Sequence, residues 1–271
     1  MRYRREGHWH RTRALAAFVA LGWHEAAAAP LALFGRAALY VVVLAIFARL
    51  WQVTPLGELP PPAPSATQLV WYLAITEWIV FAGGMAYRDV ETDITGGGIA
   101  VALQRPVPYG TAVLARWIGG VAFHLLALGA IGAVAAWALT GTFSLPLAML
   151  PGLLLSGGIA VALILLCHLQ LGYLAIWLGT AAPAFWIWQK ATFVLGGLLM
   201  PLTLYPSPWH GIAAASPFAA MLFGPGSLAF DDSFAHLAAV LGGQIFWLAL
   251  LGTLTVALDR AVVARLLEHG G

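Results

Sequence analysis

Asp89, Glu91 and Asp93 place three carboxylates within one short stretch, directly ahead of Gly96-Gly97-Gly98. Such a group could support metal-assisted chemistry. No second acidic cluster belongs with it, and a metal site is not expected. The other residues able to do chemistry fail at their spacing. The single lysine, Lys190, precedes Ala191, whereas a phosphate-binding loop needs Gly-x-x-x-x-Gly-Lys-Ser/Thr. His24-Glu25 opens like a zinc-protease helix, but position 28 is alanine, so the second metal ligand is missing. Ser156 stands in Leu-Leu-Ser-Gly-Gly, without the glycine that precedes a serine nucleophile. Cys167 is the one cysteine. It allows no internal disulfide and reads as a small core residue. The chain is therefore expected to carry no catalytic residues, no metal and no cofactor of its own.

The chemistry that remains is that of polar groups inside apolar runs, where they face protein or water because lipid solvates them poorly. Glu77 lies in Ala74-Ile75-Thr76-Glu77-Trp78. It reads either as a proton or substrate contact or as one half of an ion pair, with Arg116 or with a second subunit. His124, His168, Gln170, Gln189 and Gln244 suit hydrogen bonds between helices. His124 and His168 lack the further pattern that haem ligation would need.

The elements that must position these groups follow from composition. Of 271 residues, 61% are hydrophobic and 9% charged, and mean hydropathy is +0.87. A soluble domain carries roughly 25% charged residues, so a water-soluble globule and a disordered chain are both excluded. The net charge of +2 comes without the basic, aromatic-interleaved patch of a nucleic-acid binder. A single all-α integral membrane domain over 1–271 is expected. Apolar runs of about 20 residues predict six transmembrane helices near 31–51, 67–87, 109–139, 147–179, 183–205 and 234–258. Their apolar character on all faces excludes β-barrel strands.

Residues 10–29 repeat Leu15, Phe18, Val19 and Trp23 at helical spacing beside Arg11, Arg13 and Glu25. They predict an interfacial amphipathic helix, broken from the first span by Pro30. No signal-peptide cleavage site stands clear of that span. Arginines at 2, 4, 5, 11, 13, 88, 105, 116, 260 and 265 fall on one side, with Lys190; Glu58, Asp231 and Asp232 fall on the other, with Arg49 near the end of the first span as the one exception. The positive-inside rule then puts both termini in the cytoplasm. Residues 54–65 hold five prolines and predict a stiff external connection. Residues 206–232 are cut by proline and glycine and predict short external helices, re-entrant or capping, between spans 5 and 6.

Residues 88–106 form an acidic start, a glycine run, a short apolar helix and the stop Arg105-Pro106. An amphipathic segment on the cytoplasmic face suits docking into a protein groove. Here Glu91-x-Asp93-Ile94-x-x-Gly97 followed by Leu103-x-Arg105-Pro106-Val107 resembles the ABC-2 type permeases, the membrane subunits of ABC exporters. Gly196-Gly197-Leu198-Leu199-Met200-Pro201-Leu202 with Pro206 and Trp209, and Ser216-Pro217-Phe218 with Phe223-Gly224-Pro225, resemble later motifs of that family. Ser216 stands where the family usually has leucine.

The resemblance spans roughly residues 10–258 and implies an elbow helix, six spans and a coupling helix between spans 2 and 3. Arg88, Asp89, Glu91, Asp93, Ile94, Gly97, Leu103, Arg105 and Pro106 would couple to the ATPase. The implied partners are a cytoplasmic ABC ATPase dimer, which carries ATP and Mg, and a second permease, identical or related. The implied activity is export across the cell (inner) membrane of a hydrophobic or amphipathic substrate: a lipid, lipid-linked glycan, drug or peptide. Two other readings stay open: a membrane enzyme acting on lipids or isoprenoids, and a proton-coupled secondary transporter using Glu77.

Overall fold

A computed structural model describes residues 2–55, 64–104 and 107–269, with side chains described from residue 12 to residue 265 of these. Arg105, Pro106 and most of the proline-rich connection, including Glu58, lie outside the described residues. All regular structure among the described residues is helical.

The chain opens with α1 (Arg2–Ala27) and α2 (Pro30–Val53), separated at Pro30, which occupies the first turn of α2. There the missing amide hydrogen costs nothing. α3 (Ala66–Gly83) begins at a capping box, in which Ser65 and Gln68 each satisfy the other's backbone amide. Gly84, at φ 60°, ends α3. α4 (Tyr87–Thr95) and α5 (Gly98–Ala102) follow, then the long α6 (Tyr109–Thr140). α7 (Leu150–Tyr173) continues into α8 (Ala175–Leu178). α9 (Ala182–Leu195), the short α10 (Trp209–Ala214), α11 (Pro217–Met221) and α12 (Phe223–Ser227), and finally α13 (Phe234–His269) complete the fold.

Five stretches are long and apolar enough to cross a membrane, as in a multi-pass membrane protein: Pro30–Val53, Ala66–Thr95, Tyr109–Thr140, Leu147–Leu178 and Phe234–Arg265. These correspond to five of the six expected spans. The stretch expected at 183–205 is not a crossing-length helix among the described residues. α9 ends after 14 residues, because Gly197 turns at φ 67° and Pro201 cannot supply an amide to continue the ladder. A helix of that length reaches about 21 Å.

α3 is the central helix. Tyr72, Leu73 and Ile79 are fully enclosed, and Thr76 and Glu77 are buried beside them. α2, α6, α7 and α12 surround it. The seat for α2 is made by Gly132 on α6, where an added Cβ would lie 2.0 Å from the Tyr40 hydroxyl oxygen. That hydroxyl donates to Ala74 O at 2.6 Å. α1 lies against α6 at still closer range. A Cβ on Gly119 would fall 1.9 Å from Val19 O, and one on Gly22 would fall 1.8 Å from Arg116 O. Only glycine lets two helix backbones meet like this. Trp23 against Phe123, edge to face at 5.4 Å, closes the same contact.

The segment 206–232 does contain short helices, and they are packed into the bundle. Met221 and Leu222 are fully buried, and Tyr72 stacks on Phe230 at 5.2 Å. Gln244 on α13 donates to Ser156 O at 3.0 Å and to Ala220 O at 3.1 Å, fastening α11 to α7.

Candidate functional site

The site is built on α4, whose nine residues put Tyr87, Val90 and Ile94 toward the bundle. Tyr87 stacks on Phe185 of α9 at 4.2 Å. The three acidic side chains each accept from a different place. Asp89 accepts from Trp117 Nε1 of α6 at 2.9 Å. Glu91 accepts from Thr180 Oγ1 at 2.6 Å and from the Ala181 amide at 2.9 Å, at the start of α9. The carboxylate thus sits at a helix N-terminus, where exposed amides and the helix dipole favour negative charge. Asp93 accepts from the Tyr109 hydroxyl at 2.8 Å, at the first residue of α6.

Tyr109 continues the network. Its ring lies 6.3 Å from that of Tyr173 on α7, and Tyr173 donates to Asp259 of α13 at 2.5 Å. Through two tyrosines, α4 is linked to α6, α7 and α13. Charge-assisted hydrogen bonds of this kind contribute about 1.5–3 kcal/mol each, so α4 is fixed to the bundle at several points.

The opposite face is open. Arg88, Thr92, Thr95 and the glycines 96–98 are exposed, as is Val101 at 63%. Gly97 caps α5 at φ 75°. Ile94 and Leu103 are half-buried against the core. Of the acidic trio, Glu91 and Asp93 are half-buried and Asp89 is exposed, each holding a hydrogen bond to the bundle; Arg88, the threonines and Val101 are exposed beside them. A cleft of about 330 Å³ adjoins this region, lined by Phe18, Glu25, Asp93, Tyr109 and Arg116 among others.

The intramembrane polar candidates do not converge. Arg116 forms a bidentate pair with Glu25 of α1, at 2.7 and 3.0 Å. It is not the partner of Glu77. Glu77 is 5% exposed, and among the described residues its carboxylate meets no hydrogen-bond donor or cation. Gln170 donates to Thr255 Oγ1 at 2.9 Å and to Leu251 O at 3.1 Å on α13. His168 is buried among Tyr87, Phe185 and Trp188, and among the described residues neither ring nitrogen has a hydrogen-bond partner. His124 is half-buried on α6.

One group escaped the sequence reading. Arg36, inside the apolar run of α2, donates to Phe81 O at 3.3 Å, and its guanidinium lies against Gly84. The signal that could have found it is the one that found Glu77: a charge inside an apolar run.

No known family model matches the chain, and no curated protein matches it.

Proposed function

We propose that the chain is the transmembrane permease subunit of an ATP-driven transporter of the ABC-2 type, with ATP and Mg handled by a separate cytoplasmic ATPase. The observation that carries this reading is α4. Asp89, Glu91 and Asp93 tie it to α6 and α9, while Arg88 and Thr92 on α4, and Val101 on the following α5, are exposed. A segment so arranged can receive a push from a docked protein and pass it to several helices at once. To do this, nucleotide state need only favour one of two packings by a few kcal/mol.

The same reading includes a sixth crossing made of α9 and the broken stretch after it. Thr180 and Ala181 are level with Glu91. Farther on, Gly197 O accepts from the Tyr72 hydroxyl and Leu198 O accepts from Thr76. The run 180–198 therefore travels back along α3–α4 from one end to near the other. Six crossings put both termini on one side, and the arginine bias makes that side the cytoplasm of a cell (inner) membrane. α1 would lie in the cytoplasmic headgroup layer. Two copies, or one copy and a related permease, would form the pathway for export of a hydrophobic or amphipathic substrate.

The test is purification of the tagged chain from its native membranes, followed by identification of co-purifying proteins and an ATPase assay. A stoichiometric P-loop ATPase whose turnover depends on the permease is expected. A preparation with no ATPase would overturn the proposal. A second reading rests on Glu77, a buried carboxylate without a partner among the described residues: proton-coupled secondary transport. It is distinguished by transport that follows a proton gradient and persists without ATP.

A further inference from the structure

Near the end of the bundle opposite α4, the helices α2, α3, α6 and α7 leave a cavity of about 530 Å³. Gly129, Gly132 and Ala133 of α6 form one wall, and the two glycines let the rings of Trp78 and Tyr40 come up against that wall. On α3 it runs from Trp71 to Trp78, a depth of about 10 Å at helical rise. Three of its lining side chains carry a polar atom, and each is committed elsewhere. The Tyr40 hydroxyl donates to Ala74 O at 2.6 Å, Trp71 Nε1 to Thr142 O at 3.1 Å, and Trp78 Nε1 to Leu125 O at 2.8 Å. Among the described residues, the buried side-chain atoms without partners, on Ser156, His168, Trp188 and Gln244, belong to residues outside its lining.

The walls are thus hydrocarbon and aromatic faces. Water in such a space would lack the two to four polar partners that hold it in a protein. The rim is also apolar and faces outward: Phe143 is 66% exposed, Leu147 84% and Leu154 51%. Along a membrane-spanning bundle, the medium meeting that rim is the hydrocarbon of the bilayer.

We infer that this cavity binds a single acyl chain of a bilayer lipid, which enters sideways between Phe143 and Leu154. The head group stays outside, because no charged side chain and no free donor lies within. At roughly 30 Å³ for each water-sized group, the space takes a chain segment of ordinary lipid length if the chain bends. The inference needs only that the bundle is membrane-embedded, and it holds whether or not the transport reading does.

The test uses the full chain reconstituted into phosphatidylcholine vesicles that contain a phosphatidylcholine bearing a diazirine near the end of one acyl chain. After illumination, labelled peptides are mapped by mass spectrometry. Labelling is expected to concentrate on 71–78 and 150–154, above that at Ile245 and Phe246, which lie exposed on α13 and report general lipid contact. Ala133→Phe, which fills the cavity, should lower cavity labelling severalfold and leave the α13 signal unchanged. Leu154→Trp, at the exposed entrance, should do the same without disturbing the core, and it decides the matter if Ala133→Phe does not fold. Cavity labelling no greater than at α13, or labelling unchanged in a folded Ala133→Phe or Leu154→Trp protein, would overturn the inference.

Discussion

Glu91 and Thr180 stand 89 positions apart in sequence and 2.6 Å apart in space, the carboxylate accepting from the hydroxyl. The bond joins α4 to the turn from which α9 starts, and Ala181 N reinforces it. Glu91→Gln keeps an acceptor and the shape but loses the charge, whereas Glu91→Ala loses all three. Loss of a hydrogen bond to a charged group costs about 1.5–3 kcal/mol. Glu91→Ala should therefore loosen α9 from α4, leaving the Tyr87–Phe185 stack between them and the ATPase bound while its turnover drives transport less well. Substitution of the outward residues, Arg88→Glu with Val101→Asp, should abolish ATPase binding itself. Pull-down and transport assays separate the two classes. Normal transport by both sets would remove α4 as the coupling segment.

Arg116 and Glu25 form a pair whose side chains are 45% and 44% exposed. Solvent-screened pairs are worth about 0.2–1 kcal/mol. A double-mutant cycle on thermal unfolding in detergent should return a coupling energy in that range. Gly119→Leu, by contrast, forces a side chain into the Val19 carbonyl and should lower the unfolding temperature far more. Equal effects from the two sites would contradict the backbone contact between α1 and α6.

Glu77 meets no partner within the described chain. Glu77→Gln should leave expression and thermal stability of the isolated chain at or above the wild-type level, because it removes a charge that is costly in an apolar surround, by about 2.5–3.5 kcal/mol on insertion scales. If the same variant weakens the assembled complex, the partner charge belongs to another subunit. A clear loss of stability in the isolated chain would mean that an internal partner exists.

Gly132→Ala should destabilise by about 1–3 kcal/mol, the usual penalty of overpacking, since its Cβ lands within 2.0 Å of the Tyr40 oxygen. Tyr40→Phe combined with Gly132→Ala should recover part of the loss. Unfolding midpoints of the three variants check this, and an unaffected Gly132→Ala would show that α2 can retreat freely.

Reporters fused after Gly271 and inserted near Pro62 should give a cytoplasmic and an external signal respectively. A cytoplasmic signal at Pro62 would move α4 to the wrong side of the membrane for a cytoplasmic ATPase.

What hydropathy could reveal, it revealed. Five apolar runs are helices of crossing length, and Pro30 marks the break after α1 as expected from its fixed φ. The run at 183–205 is also largely apolar, though it holds Gln189 and Lys190, and a hydropathy average cannot sense the positive φ of Gly197 that ends α9. Short-range amphipathicity marked α4. It could not show that Asp89 and Asp93 are held by hydrogen bonds, because their donors, Trp117 and Tyr109, lie on a helix that folds back beside them. The pairing of Arg116 with Glu25 was hidden for the same reason: 91 positions separate them, and composition does not encode which of several carboxylates a cation will reach.

The backbone contact at Gly22 and Gly119 has a mechanical meaning. With no side chains between them to act as bearings, α1 and the first half of α6 form a single truss. On the proposed coupling, torque entering α6 through Tyr109 or Trp117 would not be lost as slippage along that seam; it would carry α1, a helix of 26 residues, sideways with it.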